Sequence, residues 1–153
     1  MSDSSAPSSS RGFNEHAAAF LLLRLFLALR AIFSGLEKFE LNGTYSFANY
    51  YQSMSRMASG ITGASFLPLW MTKSFALPLG YVLLALGVAI LLGLKLRATI
   101  FLMGLVYVAL AFGLMVVQEG EGVAWLAMHV LVCVAALVLV RHNRFALWPD
   151  KHD

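Results

Sequence analysis

The stretch LLLRLFLALRAIFSGLEKF, Leu21–Phe39, decides the fold: it has the length and composition of a membrane-spanning helix and yet contains two arginines. About 20 apolar residues suffice to cross the ~30 Å hydrocarbon layer of a bilayer. Arg24 and Arg30 keep their protons in proteins, and a lone arginine at the bilayer centre costs about 2.5–3.5 kcal/mol by insertion scales. We therefore expect each arginine to reach the interface, to pair inside a helix bundle, or to belong to a functional site.

Three further apolar tracts of similar length follow the first. The chain of 153 residues is 59% hydrophobic and only 12% charged, about half the charge of a typical soluble domain. The predicted spans are residues 17–36, 75–94, 98–117 and 123–140. They lack the alternating pattern of barrel strands, and only helices or closed barrels satisfy every backbone group in lipid. The predicted fold class is an all-α membrane protein, a bundle of four transmembrane helices within residues 16–142.

Charged residues outside the spans predict the orientation of the chain. Residues 1–15 are expected to form a disordered tail, because they contain too little apolar surface to fold, and residues 143–153 form a second tail. Basic residues lie in both tails and in the short link after the second span, whereas the link after the third span contains Glu119 and Glu121 and no base. Since positive residues stay on the cytoplasmic side, both termini are predicted to be cytoplasmic.

The connection between the first two spans, residues 37–74, is too long for a simple turn. One apolar face at helical spacing is formed by Phe47, Tyr50, Tyr51, Met54 and Met57. We expect a short interfacial helix along the outer membrane surface, capped at Thr44 or Ser46. The segment after it is predicted to be broken at Gly60, Gly63, Pro68 and Pro78. This helix is either a lid or docking surface, or a connector that covers the helix ends.

Helical spacing places the two arginines on different faces of the first span. Arg24 shares its face with three small residues, Ala28, Ala31 and Gly35. Small residues mark the sides on which membrane helices pack closely, so Arg24 is predicted to point into the bundle. Arg30 lies about 120° around the helix, on the face of Glu37. A carboxylate at the outer edge, from Glu37, Glu119 or Glu121, is the expected counter-charge.

The fourth span contains the only histidine predicted to lie inside the membrane. His129 follows Glu121 and Trp125 at steps of four residues and precedes Cys133 by the same step. His129 and Arg30 both lie about 9–10 Å below the outer boundary, a depth that permits contact. Such a histidine either faces a polar cavity, where it carries protons or binds a head group, or bonds a neighbouring carbonyl. The candidate buried polar or ligand-binding residues are Arg24, Arg30, Glu37, Glu119, Glu121 and His129.

Several classes of function lack the residues that they need. Cys133 is the only cysteine, so an intramolecular disulfide and CxxC chemistry are excluded. A buried b-type haem normally takes two axial ligands, but only one histidine lies in a span, and no His, Cys and carboxylate cluster has metal-site spacing. No phosphate loop, hydrolase motif or basic run with interleaved aromatics is present. We expect no metal, no covalently bound cofactor and no nucleic-acid partner, whereas a quinone is compatible with the pattern.

The segment RLFLALRAIFSGLEKF, residues 24–39, resembles the first-helix signature of the DoxX/DoxD family of small four-helix bacterial inner-membrane proteins. Arg24, Gly35 and Lys38 match the arginine, glycine and lysine of that signature. LLALGVAILLGLKLRATI, residues 83–100, resembles the second helix, and HNRFALWPD, residues 142–150, is similar to the polar tail. The family's second-helix glutamate falls near Leu83 here, and no acidic residue lies in this span.

The resemblance implies a multi-pass protein of the bacterial cytoplasmic membrane. Its expected partners are the lipid bilayer and other membrane or periplasmic subunits, or further copies of the chain. The first hypothesis is an accessory or co-catalytic subunit of a redox-linked assembly that handles quinone or sulfur. The second resembles the DoxD part of thiosulfate:quinone oxidoreductase, a quinone-reducing subunit that uses Arg30 and His129. The third is a small-molecule transporter, for which the chain lacks the usual internal repeat.

Overall fold

The computed structural model describes residues 15–142, and most of them are helical. The long helices are α1 (Glu15–Glu37), α3 (Leu69–Leu92), α4 (Leu96–Val116) and α5 (Gly120–Leu139). Each is long and apolar enough to cross a membrane. Between α1 and α3 lie a hairpin of β1 (Glu40–Leu41) and β2 (Thr44–Tyr45) and the shorter helix α2 (Phe47–Gly63), and a 3-10 turn (Val140–His142) follows α5. The four long helices and the short one in the first connection are confirmed. The two predicted tails fall outside the described residues, except that Glu15 begins α1.

The long helices associate as two closely packed pairs, α1 with α3 and α4 with α5. The pairs meet mainly through α1 against α5 and through α3 against α4. The core between them includes four fully buried side chains, Leu27, Ile90, Ile100 and Met103. We call the end of the bundle where α1 and α4 finish and α3 and α5 begin the α2 end, because α2 covers it.

Small residues set the distance between α1 and α3. Ala28, Ala31 and Gly35 of α1 are buried, as the predicted small-residue face requires. Opposite them, a Cβ atom added at Gly87 of α3 would lie 2.8 Å from Ile32 Cγ1 and 3.0 Å from the Ile32 backbone nitrogen. The two helices therefore approach so closely that only glycine fits at this position.

Arg24 is buried in the same helix pair, with 5% of its surface exposed. Its Nε donates to the Ile90 carbonyl at 2.9 Å and its Nη2 donates to the Leu91 carbonyl at 2.7 Å. Both carbonyls belong to the last turn of α3, where a positive charge is favourable, and the Ile90 carbonyl also accepts from the Gly93 N–H at 3.1 Å. A carboxylate at the outer edge of the bundle was the expected partner of the arginines. Glu37 is not the partner of Arg24, because it lies about 20 Å further along α1.

The first connection begins with a hairpin that the sequence reading missed. Glu40 pairs with Tyr45 and Leu41 with Thr44. The turn residues Asn42 and Gly43 have φ angles of 52° and 76°. Positive φ at both turn positions is typical of the Asn-Gly turn that joins two-residue hairpins. The dipeptide itself was the available signal.

Helix α2 begins as predicted, since Ser46 is its N-cap and the Ser46 hydroxyl accepts from the Asn49 backbone N–H at 3.1 Å. Its predicted apolar face is only partly buried. Tyr50 and Met54 pack inward, whereas Phe47 and Tyr51 remain more than half exposed. The face splits because α2 packs mainly against α3, and one neighbouring helix cannot cover an arc that wide.

The break predicted at Pro78 is wrong, because α3 begins at Leu69 and runs through this proline. The Tyr50 hydroxyl lies beside the helix at this point. It donates to the Leu77 carbonyl and accepts from the Gly80 backbone N–H at 3.1 Å. A side chain from α2 thus satisfies backbone groups next to the residue that has no N–H of its own. Burial raises the pKa of Tyr50, so its hydroxyl keeps its proton as a donor.

The break predicted at Gly60 is also wrong, since Gly60 lies inside α2.

Replacing Tyr50 by phenylalanine is expected to lower the free energy of unfolding by about 1 kcal/mol, the usual contribution of a hydrogen bond. The buried Gly80 N–H and the Leu77 carbonyl lose a shared partner while the ring remains. Denaturant titration of the detergent-solubilised protein, followed by circular dichroism, measures the change. Tyr45→Phe is the matched control, because Tyr45 is 66% exposed. Equal stabilities of the two variants would contradict the role assigned to the Tyr50 hydroxyl.

Candidate functional site

A cavity of about 530 Å³ lies between the two helix pairs at the α2 end. Ligand sites typically measure about 300–1,000 Å³ and combine apolar walls with a few polar groups. All five helices contribute to the wall. Its apolar part includes Met57, Ile61, Leu79, Leu83, Leu110 and Leu126. The cavity therefore has the size and the lining of a site for a small, largely apolar molecule.

A stripe of polar residues on α1 faces this cavity. Arg30, Ser34 and Lys38 follow one another at steps of four residues, and all three line the wall. Lys38 immediately follows α1, but its N–H still donates to the Gly35 carbonyl at 3.2 Å. The stripe therefore keeps helical geometry up to the α2 end. Sequence reasoning singled out Arg30 but overlooked Ser34 and Lys38 as cavity residues.

Arg30 and His129, predicted at similar depth on separate helices, are in contact. Arg30 Nε donates to His129 Nε2 at 3.4 Å. His129 Nδ1 lies 2.7 Å from the Trp125 carbonyl oxygen. Because a carbonyl can only accept, Nδ1 carries a proton and Nε2 offers its lone pair to Arg30. The carbonyl bond offered as one interpretation of His129 is present, and His129 also lines the largely apolar cavity. A role in carrying protons or binding a head group stays a prediction.

Tyr107 of α4 is the polar residue that sequence reasoning missed. Its side chain is 4% exposed and lines the cavity, and its hydroxyl has no hydrogen-bond partner among the described residues. Its ring centroid lies 5.1 Å from that of His129. An unpaired buried hydroxyl costs about 1–3 kcal/mol, so such a group calls for a ligand or a water. The available signal was that Tyr107 is the only tyrosine in the predicted span 98–117.

The three candidate glutamates are not part of this cavity. Glu37, Glu119 and Glu121 are exposed, and none of them lines the wall. Glu119 and Glu121 lie at the start of α5, where the helix dipole favours negative charge. Glu37 ends α1, about 10 Å beyond Arg30. The counter-charge expected for Arg30 from this edge is therefore not provided by these residues.

The polar groups of the cavity are mainly hydrogen-bond donors. Arg30, Lys38 and Tyr107 can all donate hydrogen bonds. The one acceptor nitrogen of His129, Nε2, already accepts from Arg30. Leu83 contributes an apolar side chain to the wall. The DoxX/DoxD signature that the chain resembles has a glutamate near this position. A ligand that fits must therefore supply acceptor oxygens.

No family model, no curated protein and no solved structure matches the chain. The family resemblance thus rests on the segments 24–39, 83–100 and 142–150.

Proposed function

We propose that this protein is a quinone-binding subunit of a redox-linked assembly in the bacterial cytoplasmic membrane, with a bundle of four transmembrane helices and both termini in the cytoplasm. Four apolar helices of spanning length support the membrane location. Large apolar side chains such as Leu22, Phe101 and Leu131 are more than half exposed on the outside of the bundle, where lipid would cover them. In this orientation the α2 end and its cavity face the outer side.

The observation that carries the ligand assignment is the Tyr107 hydroxyl, which finds no hydrogen-bond partner within residues 15–142 and lies beside the Arg30–His129 contact. A quinone carbonyl is an acceptor, so it can receive a hydrogen bond from Tyr107 and another from the guanidinium N–H groups of Arg30. The flat ring is apolar on both faces and suits the leucine and methionine walls. A lipid-soluble ligand also reaches a cavity at this depth without crossing water.

The role of this chain in such an assembly is to bind and orient the quinone head group. Conversion of a quinone to a quinol consumes two electrons and two protons, and the electrons come from the redox centre of a partner subunit. His129 lies beside the head-group position and orients the Arg30 guanidinium through its Nε2. The chain is thus co-catalytic, because it holds the quinone that accepts the electrons.

Tyr107→Phe is expected to weaken binding of a short-chain benzoquinone about tenfold, the loss that corresponds to one hydrogen bond of about 1.4 kcal/mol. Trp125 lines the cavity, so quenching of tryptophan fluorescence reports the binding. Tyr81→Phe is the control, because Tyr81 of α3 does not line the wall. If the two variants bind the quinone as tightly as the unmodified chain, the head-group assignment fails.

The assembly is tested separately by native mass spectrometry of the protein extracted mildly from its own membrane. We expect a co-purifying polypeptide that carries a redox centre. If the chain carries a quinone-sized mass but no second polypeptide, the quinone assignment stands and the proposed assembly is wrong.

A further inference from the structure

Among the residues that the structure describes, two cations and no carboxylate line the cavity. Within residues 15–142, neither Arg30 nor Lys38 forms an ion pair with a carboxylate. The partner of Arg30 is the His129 imidazole, in the tautomer that accepts a hydrogen bond and supplies no negative charge. The positive charge of the wall is therefore uncompensated by residues 15–142.

Arg30 is exposed on the isolated chain, so the proposed bilayer makes its surroundings apolar and the charge imbalance important. Charges attract and repel more strongly inside apolar surroundings than in water, and charged groups at membrane depth normally pair with one another. Arg30 and Lys38 lie eight residues apart on one face of α1, a distance of about 12 Å. A negative charge placed in the cavity is attracted by both.

The positions of the donors indicate where a negative head group would bind. The guanidinium of Arg30 offers paired N–H groups, which suit the oxygens of an oxyanion, and the Tyr107 hydroxyl adds a third donor from the opposite helix pair. Lys38 lies at the α2 end of the cavity wall. Apolar side chains from α2, α3, α4 and α5 surround the space between these groups.

We infer that the cavity selects an amphiphilic anion, a carboxylate, sulfonate or sulfate head on an apolar chain or ring. Arg30 and Tyr107 bind its head group, and Lys38 attracts it at the entrance. This inference rests on the proposed function, since it assigns a charge preference to the same cavity. Such an anion competes there with a neutral quinone.

The test compares decanesulfonate with decanol, two probes that share a ten-carbon chain and differ in charge. The full-length chain is reconstituted in nanodiscs of zwitterionic lipid, and binding is followed by tryptophan fluorescence after correction for partition into lipid. We expect the sulfonate to bind about tenfold more tightly than the alcohol, as for an added charge-assisted hydrogen bond. Equal affinities for the two probes would overturn the inference.

Charge-removing variants locate the preference in the cavity. Arg30→Gln is expected to abolish the advantage of the sulfonate, and Lys38→Gln to reduce it about threefold, because Lys38 acts from a longer distance. Lys73→Gln removes the same charge at the same end of the bundle from a residue that does not line the wall, and it should retain the preference. If Lys73→Gln lowers the preference for the sulfonate as much as Lys38→Gln does, the preference does not come from a specific site in the cavity. Lys38 lies just beyond the end of α1, so its variant is informative even if Arg30→Gln does not fold.

The short-chain benzoquinone, measured in the same nanodiscs, separates the two proposals. Quinone binding without a preference for sulfonate refutes the anion inference and leaves the proposed function in place. Sulfonate binding without quinone binding refutes the proposed function and leaves the anion preference of the cavity in place. If neither ligand binds, both proposals are wrong.

Discussion

Gly87→Ala is expected to lower the free energy of unfolding by about 2–3 kcal/mol relative to Gly104→Ala, the upper range for overpacking of a tight interior. The added methyl group would lie 2.8 Å from Ile32 Cγ1, 3.0 Å from the Ile32 nitrogen and 3.1 Å from the Ala28 carbonyl oxygen. Two of these atoms are backbone, which cannot turn away as a side chain can. Helices α1 and α3 would have to separate, and the contacts between them would weaken.

Gly104 provides the matched control because it is also a glycine inside a long helix. A methyl group at Gly104 would meet only Cys133 Cβ at 3.6 Å, an ordinary van der Waals distance. Both substitutions gain the same helix propensity, about 1 kcal/mol, so their difference isolates the cost of the close approach. Titration with sodium dodecyl sulfate in mixed micelles, followed by circular dichroism, measures both variants. Equal stabilities would show that α1 and α3 do not pack as described.

Arg24→Leu should destabilise the protein by about 2 kcal/mol, within the range for hydrogen bonds made by a charged donor. The side chain links α1 to the last turn of α3 through the carbonyls of Ile90 and Leu91. Leu91 lies too close to the end of α3 for its carbonyl to accept a helical hydrogen bond. Leucine removes the charge and its desolvation cost, but it takes the guanidinium donor away from the Leu91 carbonyl and leaves the Ile90 carbonyl with the Gly93 N–H alone among the described residues.

Two further variants calibrate that measurement. Arg24→Lys keeps the charge but loses the fork that bridges two carbonyls, so it should lose about half as much stability. Leu22→Ala, at a position 70% exposed on the same helix, should change stability by about 0.5 kcal/mol or less. If Arg24→Leu unfolds at the same detergent concentration as Leu22→Ala, the arginine does not hold the helix pair together.

Hydrophobic periodicity was sufficient to predict the long helices and the inward face of α1. Arg24, Ala28 and Ala31 are buried as their spacing implies, because a helix repeats every 3.6 residues whatever surrounds it. The start of α3 was placed too late, near residue 75 rather than at Leu69. Pro78 is a local helix breaker, yet α3 continues through it, and the Tyr50 hydroxyl of α2 bonds the Leu77 carbonyl and the Gly80 N–H on either side. A local sequence signal cannot show this tertiary contact.

The candidate site was predictable only in part. Arg30 and His129 stand out because ionisable residues are rare in apolar spans, and their equal depth allowed the contact that the structure shows. Tyr107 and Lys38 gave weaker signals, since a tyrosine in a helix and a lysine at a helix end are ordinary features. Their importance depends on a cavity, which arises from the way two helix pairs meet.

The sequence by itself determined that this chain forms four long apolar helices, and which side of α1 would be buried, because chain length and side-chain period act locally. Only the tertiary structure decided which partner each polar group found. It placed the carbonyls of α3 against Arg24 and brought His129 to Arg30. It also put the Tyr107 hydroxyl in a cavity where no described residue bonds it. Those pairings depend on the separation and rotation of neighbouring helices, which are set by side-chain packing between distant parts of the chain.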